Sequence, residues 1–337
     1  MTPTYRRLAA ALLVPLLALS AAACTDSDDD GETTSAGDNG SDTTAEDGGD
    51  TGDTTGEAGA EFTFVALDTG GPLTKDALEN GDIQIGLLFS SDGAIAANEW
   101  VALEDDQNLQ PADNFVPAIR TEASNDDIAA VLDAVSAELT VEDVQGLVAQ
   151  VSIDGDNPED AAAGFLEEKE LPGDLTAEGS INVGSSNFAE SNIAAQLYGQ
   201  ALEAAGVDVS YTPDIGARDV YYEALKAGDI DLVPEFTGSL LTFLDPEATA
   251  SPEVDEVLDA LRPLAEEDGI TILEPAEADS VNTFVVTGET AEEFSLATVS
   301  DLAGVDESLT LGGPPECPER PYCLIGLQET YGLTFAE

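Results

Sequence analysis

Between Ile181 and Pro246 the chain alternates between two periodicities, and this alternation restricts the fold more than any other feature. Ile181–Val183 is a short β-prone run, followed by the polar turn Gly184-Ser185-Ser186-Asn187. From Ala189 to Ala205, the apolar residues Ile193, Leu197, Ala201, Leu202 and Ala205 recur at helical spacing. Gly206 stands where a helix C-cap belongs. Val207–Tyr211 predicts a second strand, Arg218–Ala227 a second helix and Ile230–Val233 a third strand. Strands alternating with helices predict a parallel sheet. Ligands of such sheets bind beyond the carboxyl ends of the strands. Here those ends lead into Ser185–Phe188, Asp214–Asp219 and Pro234–Gly238.

The remaining chain has the same α/β character. Phe62–Asp68 predicts a strand, and Pro72 suits the first turn of a helix that runs to Asn80. Ile83–Phe89 is a continuous apolar strand, the pattern of burial on both faces. Trp100–Leu103 and Phe115–Ile119 predict further strands, and Asp126–Leu139, Val141–Val151 and Pro158–Lys169 predict amphipathic helices. Leu171–Gly179 reads as a linker. Beyond Pro246, the pattern predicts a helix over Pro252–Asp268 and strands over Ile270–Leu273, Asn282–Thr287 and Leu309–Leu311. A short helix falls within Phe294–Leu302 and a last one over Cys323–Tyr331.

The front of the chain is different. Met1–Cys24 reads as a secretion signal: Arg6 and Arg7, then an apolar run too short to span a bilayer comfortably, then small residues before Cys24. The Ser20-Ala21-Ala22-Ala23-Cys24 junction resembles a bacterial lipobox, which implies acylation of Cys24 and anchoring at the outer face of the membrane. The alternative is ordinary signal cleavage that leaves Cys24 a free thiol. Thr25–Ala60 holds Asp, Gly, Thr, Ser and Glu with almost no apolar residue, so it predicts an extended acidic linker. The folded domain is then expected over 61–337.

Three motifs in the central stretch carry a resemblance. VGSSNFAES, GARDVYYEALKAGDIDL and PEFTGSLLTFL are similar, in order and spacing, to the substrate-binding proteins of osmoprotectant ABC importers, which bind glycine betaine, choline or carnitine. The resemblance implies a two-lobed periplasmic-binding-protein-like fold of type II, with mixed sheets flanked by helices and a ligand cleft between lobes. It implies a monomer whose partners are a small solute, an ABC permease and its ATPase. The PPECPERPYC loop is also similar to one in that family, which supports a disulfide between Cys317 and Cys323, as an extracytoplasmic setting does. In the family, a segment like YGLTFAE runs directly into one like FVPLDTGGPLTKDALENGDIQIGLLF. Here the second stands at the front, from Ala60, and the first closes the chain. The expectation is a circular permutation, with a truncated tandem repeat or a gene-model error as the alternatives. Lobe I is then expected over 102–245 and lobe II over 61–99 with 250–337, hinged near Glu99–Leu103 and Pro246–Pro252.

A quaternary ammonium has no hydrogen to donate, so proteins surround it with ring faces. On the motif loops, the resemblance makes Phe188 and Phe236 candidates for that role, with Phe236 where the family often has Tyr. Ser185, Asn187, Thr237 and Asn282 would supply hydrogen bonds, and Arg218 would pair with a carboxylate. Asp219 and Glu235 would favour a cation, while Ser90, Ser91 and Asp92 would close from lobe II. Each carboxylate has a plainer reading as acidic surface, each phenylalanine as core, and Arg218 as a helix cap or the partner of an acidic neighbour.

Other functions find little support. The chain has no histidine, no GxSxG and no phosphate loop, and two placed carboxylates of a glycosidase cannot be picked out among 70 acidic residues. No cofactor motif or metal-ligand set is present in the sequence. A binding protein for another small polar solute, or a receptor module on the same fold, is the competing reading. With 9 Lys+Arg against 70 Asp+Glu, a net charge of −61 repels nucleic acid and anionic lipid. Because the acid continues through the folded region, the sequence predicts a protein adapted to high salt, where self-repulsion is screened. Its thermal midpoint is expected to rise between low and molar salt, and an unchanged midpoint would overturn this reading.

Overall fold

A computed structural model describes residues 61–68 and 70–336. The signal segment, the acidic linker and Cys24 lie outside the described residues.

Two mixed sheets organise the domain. The strands in chain order are β1 (Glu61–Ala66), β2 (Ile85–Phe89), β3 (Val101–Ala102), β4 (Phe115–Arg120), β5 (Ser180–Gly184) and β6 (Asp208–Thr212). They continue as β7 (Leu232–Phe236), β8 (Ile270–Ile272), β9 (Asn282–Val286), β10 (Thr310–Gly313) and β11 (Thr334–Phe335). One sheet has the order β11-β1-β10-β2-β9-β3 and the other β6-β5-β7-β4-β8. The parallel pairings β5 with β6 and β5 with β7 are those the alternating stretch predicts. Antiparallel strands complete each sheet: β4 pairs with β7 and β8, and β9 with β2 and β3.

Helices cover the sheets: α1 (Pro72–Glu79), α2 (Gly93–Ala97), α3 (Asp126–Glu138), α4 (Val141–Ala149), α5 (Pro158–Glu168) and α6 (Ala189–Ala205). They are followed by α7 (Arg218–Ala227), α8 (Thr237–Leu244), α9 (Val254–Glu267), α10 (Gly288–Phe294) and α11 (Leu324–Glu329). Local chemistry sets many of their ends. Asn125 caps α3 by accepting from Asp127 and Ile128 N–H, and Thr140 with Asp143 forms a capping box on α4. Gly206 ends α6 at φ 110°, a left-handed conformation that suits glycine. Three helices go beyond the sequence expectation: α2, α8 and α10. Asp92 starts α2 by accepting from Ala94 N–H, and Thr287 starts α10 by accepting from Thr290 N–H. The helix expected within Phe294–Leu302 is instead the end of α10 and a 3-10 turn over Val299–Gly304.

Each sheet has its own core. Phe115, Ile119, Leu132, Leu197, Tyr198 and Leu202 pack on one face of the β4–β8 sheet, and Val116, Tyr222, Leu225, Val233 and Leu261 on the other. Phe62, Leu87, Phe284, Leu311 and Leu327 fill the second lobe. There a disulfide joins Cys317 to Cys323, with Cα atoms 5.3 Å apart.

The lobe boundaries differ from the expectation. Residues 250–278 belong to lobe I: Ile272 pairs with Ala118 of β4, and α9 buries Val257, Leu258, Leu261 and Ala265 in that lobe's core. Val101 and Ala102 pair with β9 and so remain in lobe II. The crossings are therefore not at Glu99–Leu103 and Pro246–Pro252. They run side by side near Asn114 and Asp279, which form an antiparallel bridge, with Ser280 N–H donating to Asp113 O at 3.1 Å. Pairing explains the shift, because a strand joins the lobe whose sheet satisfies its backbone.

Candidate functional site

β7 carries Glu235 and Phe236 to the lobe boundary, and α8 begins at the next residue. The expected loop Pro234–Gly238 is thus a strand running straight into a helix. Glu235 is fully buried. Its carboxylate accepts from Arg218 Nε at 3.1 Å, Arg218 Nη2 at 3.0 Å, Tyr221 hydroxyl at 2.8 Å and Phe236 N–H at 3.0 Å. Burial opposes the charge of Arg218, but Glu235 overrides it and holds the guanidinium more firmly protonated than usual. Burial and then the Glu235 charge raise the Tyr221 hydroxyl, keeping it a donor.

Beside this cluster is a cavity of about 410 Å3 between the lobes. Phe89, Phe188 and Phe236 supply its rings; Asp113, Glu190 and Arg218 supply its charges. Phe188 and Phe236 have centroids 6.1 Å apart, and Phe236 is backed by Phe115 at 4.6 Å. Phe89 is 40% exposed and Phe188 41%, although both are large apolar side chains. Rings held open beside a cavity offer their faces to something other than the core. Ser239 donates to both oxygens of Asp113, from its N–H at 2.7 Å and its hydroxyl at 2.6 Å. Asp113 keeps a water-facing edge but is otherwise enclosed, and burial pushes its carboxyl up to about 6. The Ser239 hydrogen bonds and the Arg218 charge act downward, and the Glu235 charge upward. Because Arg218 is engaged by Glu235, the cavity wall is left with an excess of negative charge.

The expected site residues divide into three groups. Phe188, Phe236 and Arg218 line this cavity, and Asn282 lines the one that adjoins it. Ser90 and Ser91 join the lobes at its flank. Ser90 hydroxyl donates to Asp279 Oδ1 at 2.6 Å while its carbonyl accepts from Gln145 Nε2 at 2.8 Å. Ser91 hydroxyl donates to Glu190 Oε1 at 3.2 Å. The structure places the other expected residues away from this cavity. Glu235 is consumed by Arg218 and Tyr221, and Thr237 is buried, accepting from Asn114 N–H at 3.0 Å. Ser185 is buried and hydrogen-bonds Asn192. Asp92 caps α2 and pairs with Lys75 at 2.6 Å. Asn187 and Asp219 are exposed and line neither cavity.

Sequence reasoning missed Phe89, Asp113, Glu190, Ser239 and Ser280. Phe89 had a usable signal, since it ends an apolar strand directly before a polar turn. Asp113 and Glu190 had none, because acidic residues are everywhere in this chain.

The chain is similar to known proteins in sequence and in fold. The OpuAC family, described as the substrate binding domain of ABC-type glycine betaine transport system, matches residues 58–168 and 179–337. The glycine-betaine-binding protein of Pseudomonas aeruginosa is 29% identical over 171 residues, covering 46% of this chain and 52% of that protein. The carnitine transport binding protein OpuCC of Listeria monocytogenes is 29% identical over 161 residues, again 46% and 52%. The chain thus spans about half the length of these curated relatives. Among solved structures, NikA from Brucella suis is similar over 64% of this chain and 55% of that one, with a TM-score of 0.34 and 13% identity.

The Asp113 environment has a consequence for stability. Its folded value, about 6, lies above the ordinary 3.8, so between those values the folded state holds a proton that the unfolded state has released. This contribution is full below about pH 4 and is lost as pH rises to about 6. In molar salt, the stability of the parent relative to Asp113→Asn is expected to fall by roughly 2–3 kcal/mol between pH 4 and pH 7. Urea denaturation of both proteins measures it, and a difference that does not change with pH would show that Asp113 is not so enclosed.

Proposed function

The chain belongs to the OpuAC family of ABC-transporter substrate-binding domains, and from that premise we propose that it captures a small quaternary-ammonium osmoprotectant outside the cytoplasm and delivers it to an ABC permease. Glycine betaine, choline and carnitine are the expected ligands. The observation that carries this reading is the trio Phe89, Phe188 and Phe236 around one interlobe cavity whose wall also holds Asp113 and Glu190. A methylated ammonium leaves water at the cost of its hydration and is repaid by ring faces and negative charge, since it has no donor to offer. The family is one of solute-binding proteins rather than enzymes, so the ligand leaves chemically unchanged.

The lobes provide the clamp in this reading. Gln145 and Glu190 of lobe I meet Ser90 and Ser91 of lobe II, while the paired crossings at Asn114 and Asp279 act as the hinge. Acylation of Cys24 would hold the monomer at the outer face of the membrane, with the acidic segment 25–60 as its tether. The permease would receive the closed form.

The order of the family's two segments is, in our reading, exchanged. The family match breaks between 168 and 179, and β11 lies parallel beside β1, with Thr334 opposite Glu61 and Phe335 opposite Phe62. Ends this close permit a permutation.

Isothermal titration with glycine betaine, choline and carnitine tests the ligand class. At least one is expected to bind without turnover. Phe188→Ala is then expected to weaken it by about 0.5–2 kcal/mol. If none of the three binds, the reading fails. A variant that joins residue 336 to residue 61 through a flexible linker of about a dozen residues, as parallel neighbours require, and opens the chain within 171–179 tests the permutation. It is expected to keep ligand affinity and far-ultraviolet circular dichroism; an unfolded product would argue that the present order is the native arrangement of this fold.

A further inference from the structure

Ser90, Ser91, Asp92 and Gly93 join β2 to α2, and none of them lines the interlobe cavity. They are fastened instead to one of the two crossings. Ser90 N–H donates to Val281 O at 2.8 Å. The Ser90 hydroxyl donates to Asp279 Oδ1 at 2.6 Å and accepts from Val281 N–H at 3.0 Å. The hydroxyls of Ser91 and Ser280 are hydrogen-bonded at 3.0 Å. Segment 90–93 therefore moves with the crossing at 279–281.

Lobe I meets this segment from the other side. Gln145 on α4 is buried, and its Nε2 donates to Ser90 O at 2.8 Å. Gly93 makes the closest approach. A Cβ on Gly93 would lie 2.4 Å from Ala149 N, 2.8 Å from Ala149 Cα and 2.8 Å from Val148 C, all of them backbone of α4. The φ of Gly93 is not in the left-handed region, and the residue opens a helix, where alanine is the better former. The backbone of lobe II thus gives no reason for glycine at this position. The approach of lobe I does, because a methyl group there would push α4 away.

We propose that segment 90–93 is a latch that holds the lobes together without the ligand, with Gly93 and Gln145 as its two contacts to α4. Glu190 ties this latch to the cavity, since it accepts from Ser91 and also lines the cavity wall. The latch sets the fraction of free protein that is closed, and apparent affinity scales with that fraction. The inference goes beyond the solute reading, on which only its binding measurement rests.

Small-angle scattering of the full chain without ligand tests the latch, together with titration of glycine betaine, choline and carnitine. Gly93→Ala sets a methyl group against α4, and Gln145→Leu removes the donor while keeping the bulk. Both are expected to show a larger radius of gyration than the parent when no ligand is present. Both are also expected to weaken whichever of the three solutes binds the parent by about tenfold, although neither residue lines the cavity. Phe188→Ala, by contrast, is expected to weaken binding and leave the ligand-free scattering unchanged. Equal radii for the parent and both variants, or unchanged affinity in a variant that has opened, would overturn the latch and leave the solute reading standing. Larger radii in the variants, with no solute binding the parent, would keep the latch and remove the solute reading. Far-ultraviolet circular dichroism checks that each variant folds. Should one unfold, the other decides; unfolding of both would overturn the inference, because the contact would then belong to the folding core.

Discussion

A fully buried carboxylate must be met by charge and hydrogen bonds where it stands, and the cavity wall is assembled around that requirement at Glu235. Arg218 and Tyr221 are three residues apart on α7, so one helical face presents both to the end of β7. Phe236 contributes its own N–H to the same carboxylate. Arg218 Nη1 also reaches the carbonyl of Ser239 at 3.4 Å, on the helix that follows. The cluster therefore fixes three elements at once: α7, β7 and the start of α8. The ring of Phe236 and the Asp113–Ser239 pair take their positions from that frame. Arg218, for which the sequence leaves open a ligand carboxylate or an acidic neighbour, is the counter-ion of Glu235.

The second constraint is the double crossing. Two chain segments run side by side at Asn114 and Asp279, where an isolated antiparallel bridge joins them between the lobes. Contact on the flank is made close by Gly93. A Cβ there would lie 2.4 Å from Ala149 N, so only a residue without one lets the start of α2 rest on the end of α4. Glu190 belongs to both arrangements. It lines the inner cavity and accepts from Ser91 of the opposite lobe, so whatever occupies the cavity bears on the contact between lobes.

Much of the local chemistry of this chain is legible in its residues alone. The bounds of α6 and α7 follow from apolar spacing and terminal glycines, and both agree to the residue with the sequence reading. The parallel set β5, β6 and β7 follows from strand–helix alternation. Motifs placed Phe188, Phe236 and Arg218 near one another, since they lie on loops and element ends at one edge of one sheet. The same reasoning put Glu235, Thr237 and Ser185 with them, and the structure shows these three buried with partners inside the protein. Chain position can bring a side chain to the right edge but does not say whether it faces the gap or the interior.

Sequence by itself determined the layers, the strand–helix order and the family, because these depend on periodicity, capping and motif spacing, which are local. Tertiary structure decided which lobe owns 250–278, since that depends on Ile272 finding Ala118 on a strand about 150 residues away. It also decided which of many carboxylates line the interlobe cavity. Asp113 and Glu190 line that cavity beside Phe89, Phe188 and Phe236, and such a meeting is a property of the assembled fold, not of the residue.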